Sequence, residues 1–447
     1  EEHAEDCPLY VAPFEAFAEL DGVTVVVTAE PGVLPNGARL EASLIEDEEQ
    51  VEAIRTAVQE TYGAEYIVRS VLPVDLSFWM GEAVEHAEDC ALNQEVACTC
   101  EAAEGEEHAE DCALNETPTC TCGAAESEPY KVQPDTSKGA ILVSYLHESE
   151  GEGEDNIAIA LYAADDAEES DLTAAIYYYD PQKNAVEEIE SESAMGETVF
   201  APEHFSIYVE VTLDKAFESG DGSKENPYLI KTAQQMANFG YLVNKKIADF
   251  KGQFLKLDAD LELSTLNEDN EGEAADWTPV GYSSSTFKGT FEGENHTVSG
   301  WKITKTNSDY AGFFGYLSGS AVIRNLKLAG DVALVEKATA VGGFAGVVYG
   351  SVAFENCSFT GSVKTSETVS QGFGGFVGES NANVTYTDCS YKGDVHPADD
   401  AGAIGGFVGY QGGRNTKFIR CFTEGTVTGE KNNRTAGFAA TVLYSTN

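Results

Sequence analysis

Three cysteines and one histidine recur twice at a period of 22 residues. His86, Cys90, Cys98 and Cys100 return as His108, Cys112, Cys120 and Cys122, so each unit reads H-x3-C-x7-C-x-C. Half a unit, His3 and Cys7, stands near the start of the chain. One imidazole and three thiolates are the donor set of a closed structural zinc site, which holds its ion tetrahedrally. The residues between them are mostly Ala, Glu, Asp, Thr and Asn, which cannot build an apolar core, so a metal would have to supply the folding energy. The spacing is not that of a standard zinc knuckle. In an oxidising compartment the same thiols can pair, Cys90 with Cys98 or between the two units. The third reading is an acidic, disordered loop with free thiols. Zinc is therefore a candidate cofactor, with disulfides as the reading an exported chain favours.

Other chemistry is sparse. There is no H-E-x-x-H, since His147-Glu148 lacks the second histidine, and neither G-x-S-x-G nor a phosphate-binding loop occurs. Trp277, His296 and nearby carboxylates could line a groove, but His296 falls on an inward strand position and reads as a packed core histidine. Asp258 and Asp260 could ligate calcium, although D-x-D followed by L-x-L reads more simply as a solvated strand face. Tyr177, Tyr178 and Tyr179 alternate in a strand, so only alternate members can face out.

Charge narrows the partners. The 447 residues carry 77 Asp and Glu against 26 Lys and Arg, a formal net charge of −51. Residues 1–219 hold 52 acidic and 7 basic residues, whereas 220–447 hold 25 and 19. Such a chain is repelled by phosphate backbones, which excludes nucleic acid as a partner. No apolar run reaches the length of a membrane-spanning helix, so no membrane insertion is expected of this fragment. The first residue is Glu1 and no signal peptide is visible. The expectation is a piece of a longer exported protein, extracellular or on the cell surface.

Repeats organise the second half. The string G-F-x-G stands at Gly312–Gly315, Gly343–Gly346, Gly375–Gly378 and Gly406–Gly409, with a degenerate copy at Gly437–Ala440. The intervals are 31 or 32 residues. About ten residues after each full copy, alternating inward residues slip phase by one, as in Val352 and Phe354 followed by Cys357 and Phe359. A flat strand cannot slip phase without turning its faces over, but a chain rounding a corner can. Strand–corner–strand units at a fixed period indicate a solenoid. Phe313, Phe344, Phe376, Phe407 and Phe438 are expected to stack as one internal ladder, and Cys357, Cys389 and Cys421 as another, acting as small apolar residues. Thr232 to Ile247 reads as a capping helix, with a capping box at Thr232 and Gln235 and Met236, Phe239, Leu242 and Val243 on one face. Thr441–Asn447 stops inside a fifth coil, as a truncated solenoid would.

The first half reads as β with one helix. Strands are expected at Val23–Thr28, Leu40–Leu44, Tyr66–Leu72, Val74–Trp79, Ala140–Tyr145, Ile157–Tyr162, Ala175–Tyr179 and Ser206–Thr212. The helix is expected at Asp47–Tyr62, ended by Gly63.

These residues resemble known families. The G-F-x-G copies, with Trp277-Thr-Pro-Val-Gly, Phe287-Lys-Gly-Thr-Phe-Glu-Gly-Glu-Asn-His-Thr-Val and the opening Gly222-Ser-Lys-Glu-Asn-Pro-Tyr-Leu-Ile, resemble the GLUG-repeat domains of bacterial surface proteins. Such repeats occur in adhesins, IgA-specific metallopeptidases and other secreted proteins. Asp21-Gly-Val-Thr-Val-Val-Val-Thr-Ala-Glu-Pro-Gly, Val74-Asp-Leu-Ser-Phe and His204-Phe-Ser-Ile-Tyr-Val resemble a β-rich domain of Gram-positive gut surface proteins.

The reading is a mainly β protein: a β-sandwich-like module over 8–213, interrupted by the His/Cys insertion at 84–128, then a linker at 214–228. A right-handed parallel β-helix with an N-terminal capping helix follows over 229–447. The resemblance implies a non-catalytic bacterial surface protein that binds a host mucosal protein (mucin or immunoglobulin) or glycan. The alternatives are the non-catalytic N-terminal region of a large secreted IgA-peptidase-like metallopeptidase, or a glycan-processing β-helix. For the insertion, disulfide pairing should show no zinc in protein purified without added metal and few reactive thiols after denaturation. About two zinc ions per chain with every thiol reactive would establish the metal reading instead.

Overall fold

The computed structural model describes residues 12–81, 129–147, 173–194, 196–266, 274–305, 309–398, 401–429 and 434–443. The eight His/Cys positions of the insertion, together with His3, Cys7 and the strand expected at Ile157–Tyr162, lie outside these residues. The chain divides into two compact units, Glu1–Val58 with Val68–Leu213, and Gln59–Ile67 with Asp214–Asn447.

In the first unit, β-branched alternation produces two sheets. One has the order β1 (Phe14–Leu20), β2 (Val23–Ala29), β6 (Ile141–His147), β10 (Glu197–Phe200), β9 (Ser191–Ala194). The other runs β3 (Arg39–Leu44), β4 (Tyr66–Met80), β11 (Ile207–Lys215), β7 (Thr173–Asp180), β8 (Ala185–Ile189), with β5 (Tyr130–Val132) on β4. Val25, Val27, Val143 and Tyr145 of the first sheet share a buried core with Leu76, Phe78 and Tyr208 of the second. The expected break at Pro73 is absent: β4 continues through it, and the Pro73 carbonyl accepts from the Ile45 N–H at 3.0 Å. Strand β1, whose inward Phe14, Ala16, Ala18 and Leu20 alternate with Glu15, Phe17 and Glu19, and the short strands β5 and β8 to β10 escaped the sequence reading. Met80 pairs with Tyr130 across β4 and β5, so the chain leaves and rejoins the sheet at adjacent positions. Helix α1 (Glu48–Tyr62) starts on Asp47, whose Oδ1 accepts from the Gln50 N–H, and it buries Ile54 and Val58.

The second unit is a parallel β-solenoid of about six turns. Four ladders of parallel strands run along it. Two of them meet at the corner where the sequence slips phase, as in Ala353–Glu355 followed by Ser358–Thr360. The corner residues Asn325, Asn356, Asp388 and Arg420 all have φ between 51° and 55°. That left-handed geometry is easiest for Asn and Asp. It lets both strands keep their apolar residues inward. The Asn356 side-chain amide donates to Asn325 and Asn295, a hydrogen-bonded ladder along the corner. The sequence reading missed the other two ladders, which flank G-F-x-G, as in Val369–Gly374 and Val377–Ala382.

The core is a herringbone of rings. Phe344 stacks on Phe376 and Phe376 on Phe407, each at 4.6 Å between centroids, and Phe407 stacks on Phe438 at 5.0 Å. A second column, Phe354, Tyr386 and Phe418, stacks at 5.1 and 5.0 Å. The two columns meet edge to face, with Phe376 at 81° to Phe354 and 82° to Tyr386. The first rung differs from expectation. Phe314, not Phe313, continues the first column, while Phe313 stacks on Trp277 at 4.7 Å. Trp277 supplies a large flat ring beneath Phe313 and fixes it by donating its indole N–H to the Phe313 carbonyl.

The cysteine ladder is packing. Cys357, Cys389 and Cys421 are free thiols, the first two buried. The neighbouring Cys357 thiol, then burial, pushes the Cys389 thiol far up, so the reactive thiolate is suppressed. Helix α2 (Ala233–Asn244) has the expected capping box at Thr232 and Gln235 and lays Phe239 against Phe287, Phe291 and Phe314. Because Phe376 is fully buried between two rings, Phe376→Ala should lower stability by about 3–5 kcal/mol in denaturant unfolding, the cost of a large core cavity. A loss below about 1 kcal/mol would contradict a continuous column.

Candidate functional site

The two glycines of G-F-x-G do different jobs. A Cβ on Gly343 or Gly375, the first glycine, would overlap the ring of Phe359 or Tyr391 inside the solenoid. A Cβ on Gly346 or Gly378, the last glycine, would press on backbone of the preceding coil, at 2.7 Å from the Gly315 carbonyl and 2.6 Å from Val341 N. The motif therefore makes a tight inward corner. The outer faces of its two flanking ladders close on each other, which buries Ala340, Val347 and Ala403 although none belongs to the inner core.

That re-entrant face holds a groove of about 540 Å³ lined by Tyr349, Gln371, Glu379, Asn381, Tyr410 and Arg414, among others. Parallel pairing sets their order. Glu379 lies opposite Val347 on one side and Tyr410 on the other, and Asn381 opposite Tyr349. Ser380, between Glu379 and Asn381, points inward and meets the Tyr386 hydroxyl at 3.0 Å. Glu379 and Asn381 therefore face out.

Glu379 is the unusual member, a carboxylate only 7% exposed. Its Oε1 accepts from the Gln371 side-chain amide at 3.1 Å and from that of Asn381. Among the described residues no hydrogen bond reaches Oε2. Burial pushes the carboxyl above its usual range, opposed by the hydrogen bond from Asn381. Close by, Ala382 has φ 73°, where Gly319 and Gly350 occupy the equivalent place in earlier coils. A left-handed alanine is strained by roughly 1–2 kcal/mol. A desolvated carboxylate and a strained residue beside one groove are features that structure alone does not require.

A second cleft, about 630 Å³, lies in the first unit beside Tyr178, His204 and Tyr208. Its carboxylates Glu187, Glu188, Glu190, Glu192 and Glu203 are all exposed, and its recessed polar group, the Tyr208 hydroxyl, already donates to the His204 carbonyl.

The residues singled out from sequence are placed differently. His147 pairs with Glu210 at 2.7 Å, both buried, and Thr198 donates its hydroxyl to the same carboxylate. The carboxylate stands between hydroxyl and imidazole, so the histidine cannot act as base on that hydroxyl, as a triad requires. His296 is not a core residue: it is half-buried at the corner, with Nδ1 3.2 Å from Asp260 Oδ1. The correction follows from the left-handed Glu294 and Asn295, which turn the chain just before it. Asp258 and Asp260 are exposed, but in the turn between the strands Phe254–Leu257 and Leu261–Glu262 rather than on a strand face, and Asp260 Oδ1 accepts from the Thr297 N–H at 2.8 Å. Trp277 is buried against Phe313 and lines neither of the two clefts described above. Tyr177 and Tyr179 are buried and Tyr178 half-buried. Among the described residues no group of three or more His, Cys, Asp or Glu could hold a metal. Sequence reasoning missed Glu379. The available signal was a carboxylate in a repeat position held elsewhere by Tyr316, Val347 and Tyr410.

Glu379 sets a pH dependence. A carboxyl whose pKa is higher folded than unfolded stabilises the fold at low pH, and this is lost as pH rises from about 4.5 through the folded value. Glu379→Gln keeps an acceptor for Gln371 and Asn381. It should therefore melt above the parent protein at pH 7, and the difference should vanish below about pH 4.5. Thermal unfolding across that range measures it, and a less stable variant at pH 7 would refute the desolvation.

Comparison with known proteins gives partial likenesses. No protein-family model matches the chain. Over 138 residues, 30% of the chain, it is 34% identical to a "Putative Gly-rich membrane protein" of Evansella cellulosilytica. Over 157 residues, 34% of the chain, it is 27% identical to "Halomucin" of Haloquadratum walsbyi. The matches span 15% and 2% of those two proteins' lengths. Among solved structures, a putative immunoglobulin A1 protease from Bacteroides ovatus aligns at a TM-score of 0.35 and 18% identity, over 52% of this chain and 88% of that one.

Proposed function

We propose that the chain is a non-catalytic binding portion of a bacterial extracellular surface protein, and that it adheres to a host mucosal protein or glycan through the solenoid. The observation that carries this reading is the groove around Glu379, a recess on rigid, mutually paired strands with a carboxylate kept out of water at a cost in stability. Rigid elements hold recognition groups more accurately than loops do. The GLUG-type repeat pattern supports an exported protein. So do the partial likenesses to proteins described as a Gly-rich membrane protein and a halomucin. The strong negative charge favours solubility through mutual repulsion between copies of such a chain.

The second reading, the non-catalytic part of an IgA-peptidase-like protein, predicts H-E-x-x-H elsewhere in the parent gene. A wall-anchoring tail there favours the adhesin. The full chain should be retained on immobilised mucus and lose at least tenfold in retention when Tyr349→Ala and Glu379→Gln are combined. Equal retention of the parent protein and that double variant would remove the groove from the account, and no retention of either would remove adhesion.

A further inference from the structure

We propose that the Glu379 groove binds an uncharged oligosaccharide, built of hexose or N-acetylhexosamine units, and rejects sialylated or sulfated ones. The inference rests on the binding role proposed above and names its ligand class.

Glu379 Oε1 is already held by two amide donors, and Oε2, with no hydrogen bond among the described residues, can accept only from a donor that enters the groove. Sugar hydroxyls and N-acetyl N–H groups are such donors. An anionic sugar would place a second negative charge beside a carboxylate that burial already disfavours. Neutralising a sulfate or carboxylate takes cations. Arg414 is the one Lys or Arg among the groove's lining residues, and it has an interaction of its own. The chain as a whole carries −51, which repels anionic glycans over a longer range.

The flanking groups suit a sugar rather than a basic peptide. Tyr349, 53% exposed, and Tyr410 lie one coil to either side of the Asn381 and Glu379 positions. Their backbone positions are two coils apart and two residues offset along the strands, about 12 Å in all, so the flat rings offer apolar faces to the C–H faces of two separate sugar rings of one oligosaccharide. Gln371 and Asn381 add planar amides that both donate and accept, matching hydroxyls that do the same. A basic peptide would be drawn to a cluster of exposed carboxylates, and Glu379 is the one carboxylate lining this groove.

The test is equilibrium binding of the full chain to neutral oligosaccharides of hexose and N-acetylhexosamine, beside the sialylated and sulfated forms of the same chains and an oligolysine peptide. Saturable binding of a neutral oligosaccharide is expected, at least tenfold tighter than its sulfated form. Glu379→Gln, which should fold at least as well as the parent, is expected to weaken it about tenfold, the worth of a hydrogen bond to a charged acceptor. Tyr349→Ala, at an exposed position, should weaken it comparably without lowering the melting temperature. Preference for the charged forms, binding of oligolysine alone, or neutral binding untouched by both variants would overturn the inference. If no sugar binds but the chain is still retained on enzymatically deglycosylated mucus, the adhesive role stands and the sugar assignment falls. Loss of mucus retention as well would remove both.

Discussion

Everything in the second unit depends on parallel backbone pairing between coils at one nearly fixed interval. Phe354 pairs with Tyr386 and Tyr386 with Phe418, each 32 residues on. Once neighbouring coils are locked in this register, each side chain sits directly above its counterpart, one strand spacing away. A ring must then stack on a ring, an amide on an amide, a thiol on a thiol. The core is built from flat groups because they stack at that distance without leaving voids, and two columns at right angles fill the cross-section. The glycines follow from the same constraint. Where a ring column or a neighbouring coil already occupies the space of a Cβ, only glycine fits.

The same register shapes the outer surface. An inward corner repeated along an axis becomes a furrow, since each coil places its corner over the last. Tyr316, Val347, Glu379 and Tyr410 form one outward column in that furrow. Three of these are apolar or aromatic, at ease in a half-buried recess. Glu379 is not, and its two amide partners compensate the burial only in part. Local rules are usually broken where function requires it, and the left-handed Ala382 three residues on breaks another.

The first unit solves its burial problem differently. Antiparallel strands bring His147, Thr198 and Glu210 together from three strands and two sheets, and the acid is satisfied by both partners. The contact is held because removing either partner would leave the other buried and short of a hydrogen bond, at a cost of about 1–3 kcal/mol. Both side chains are almost out of solvent, at 2% and 0% exposed, and their contact ties one sheet to the other.

The sequence alone determined whatever repeats. The period, the stacked phenylalanines from Phe344 onward, the corner between Phe354 and Cys357, the capping box at Thr232 and the β character of the first half are local or periodic signals, and a single chain displays them. Its groups with evident chemistry, the His/Cys units of 84–128, lie outside the described residues, so they bear on the sequence alone. Tertiary structure decided what depends on the distance between coils. Phe314 replaces Phe313 in the column because Trp277, 36 residues earlier, claims the Phe313 ring. His296 leaves the core because two residues before it adopt left-handed geometry. The groove arises because the two glycines of each corner are pressed from opposite sides, one by a ring within and one by backbone without. Glu379 looks in the sequence like any other acidic residue of an acidic chain. Only the folding of one outer face against another removes it from water, and desolvation, which no neighbour in sequence can report, is what makes it chemically distinct.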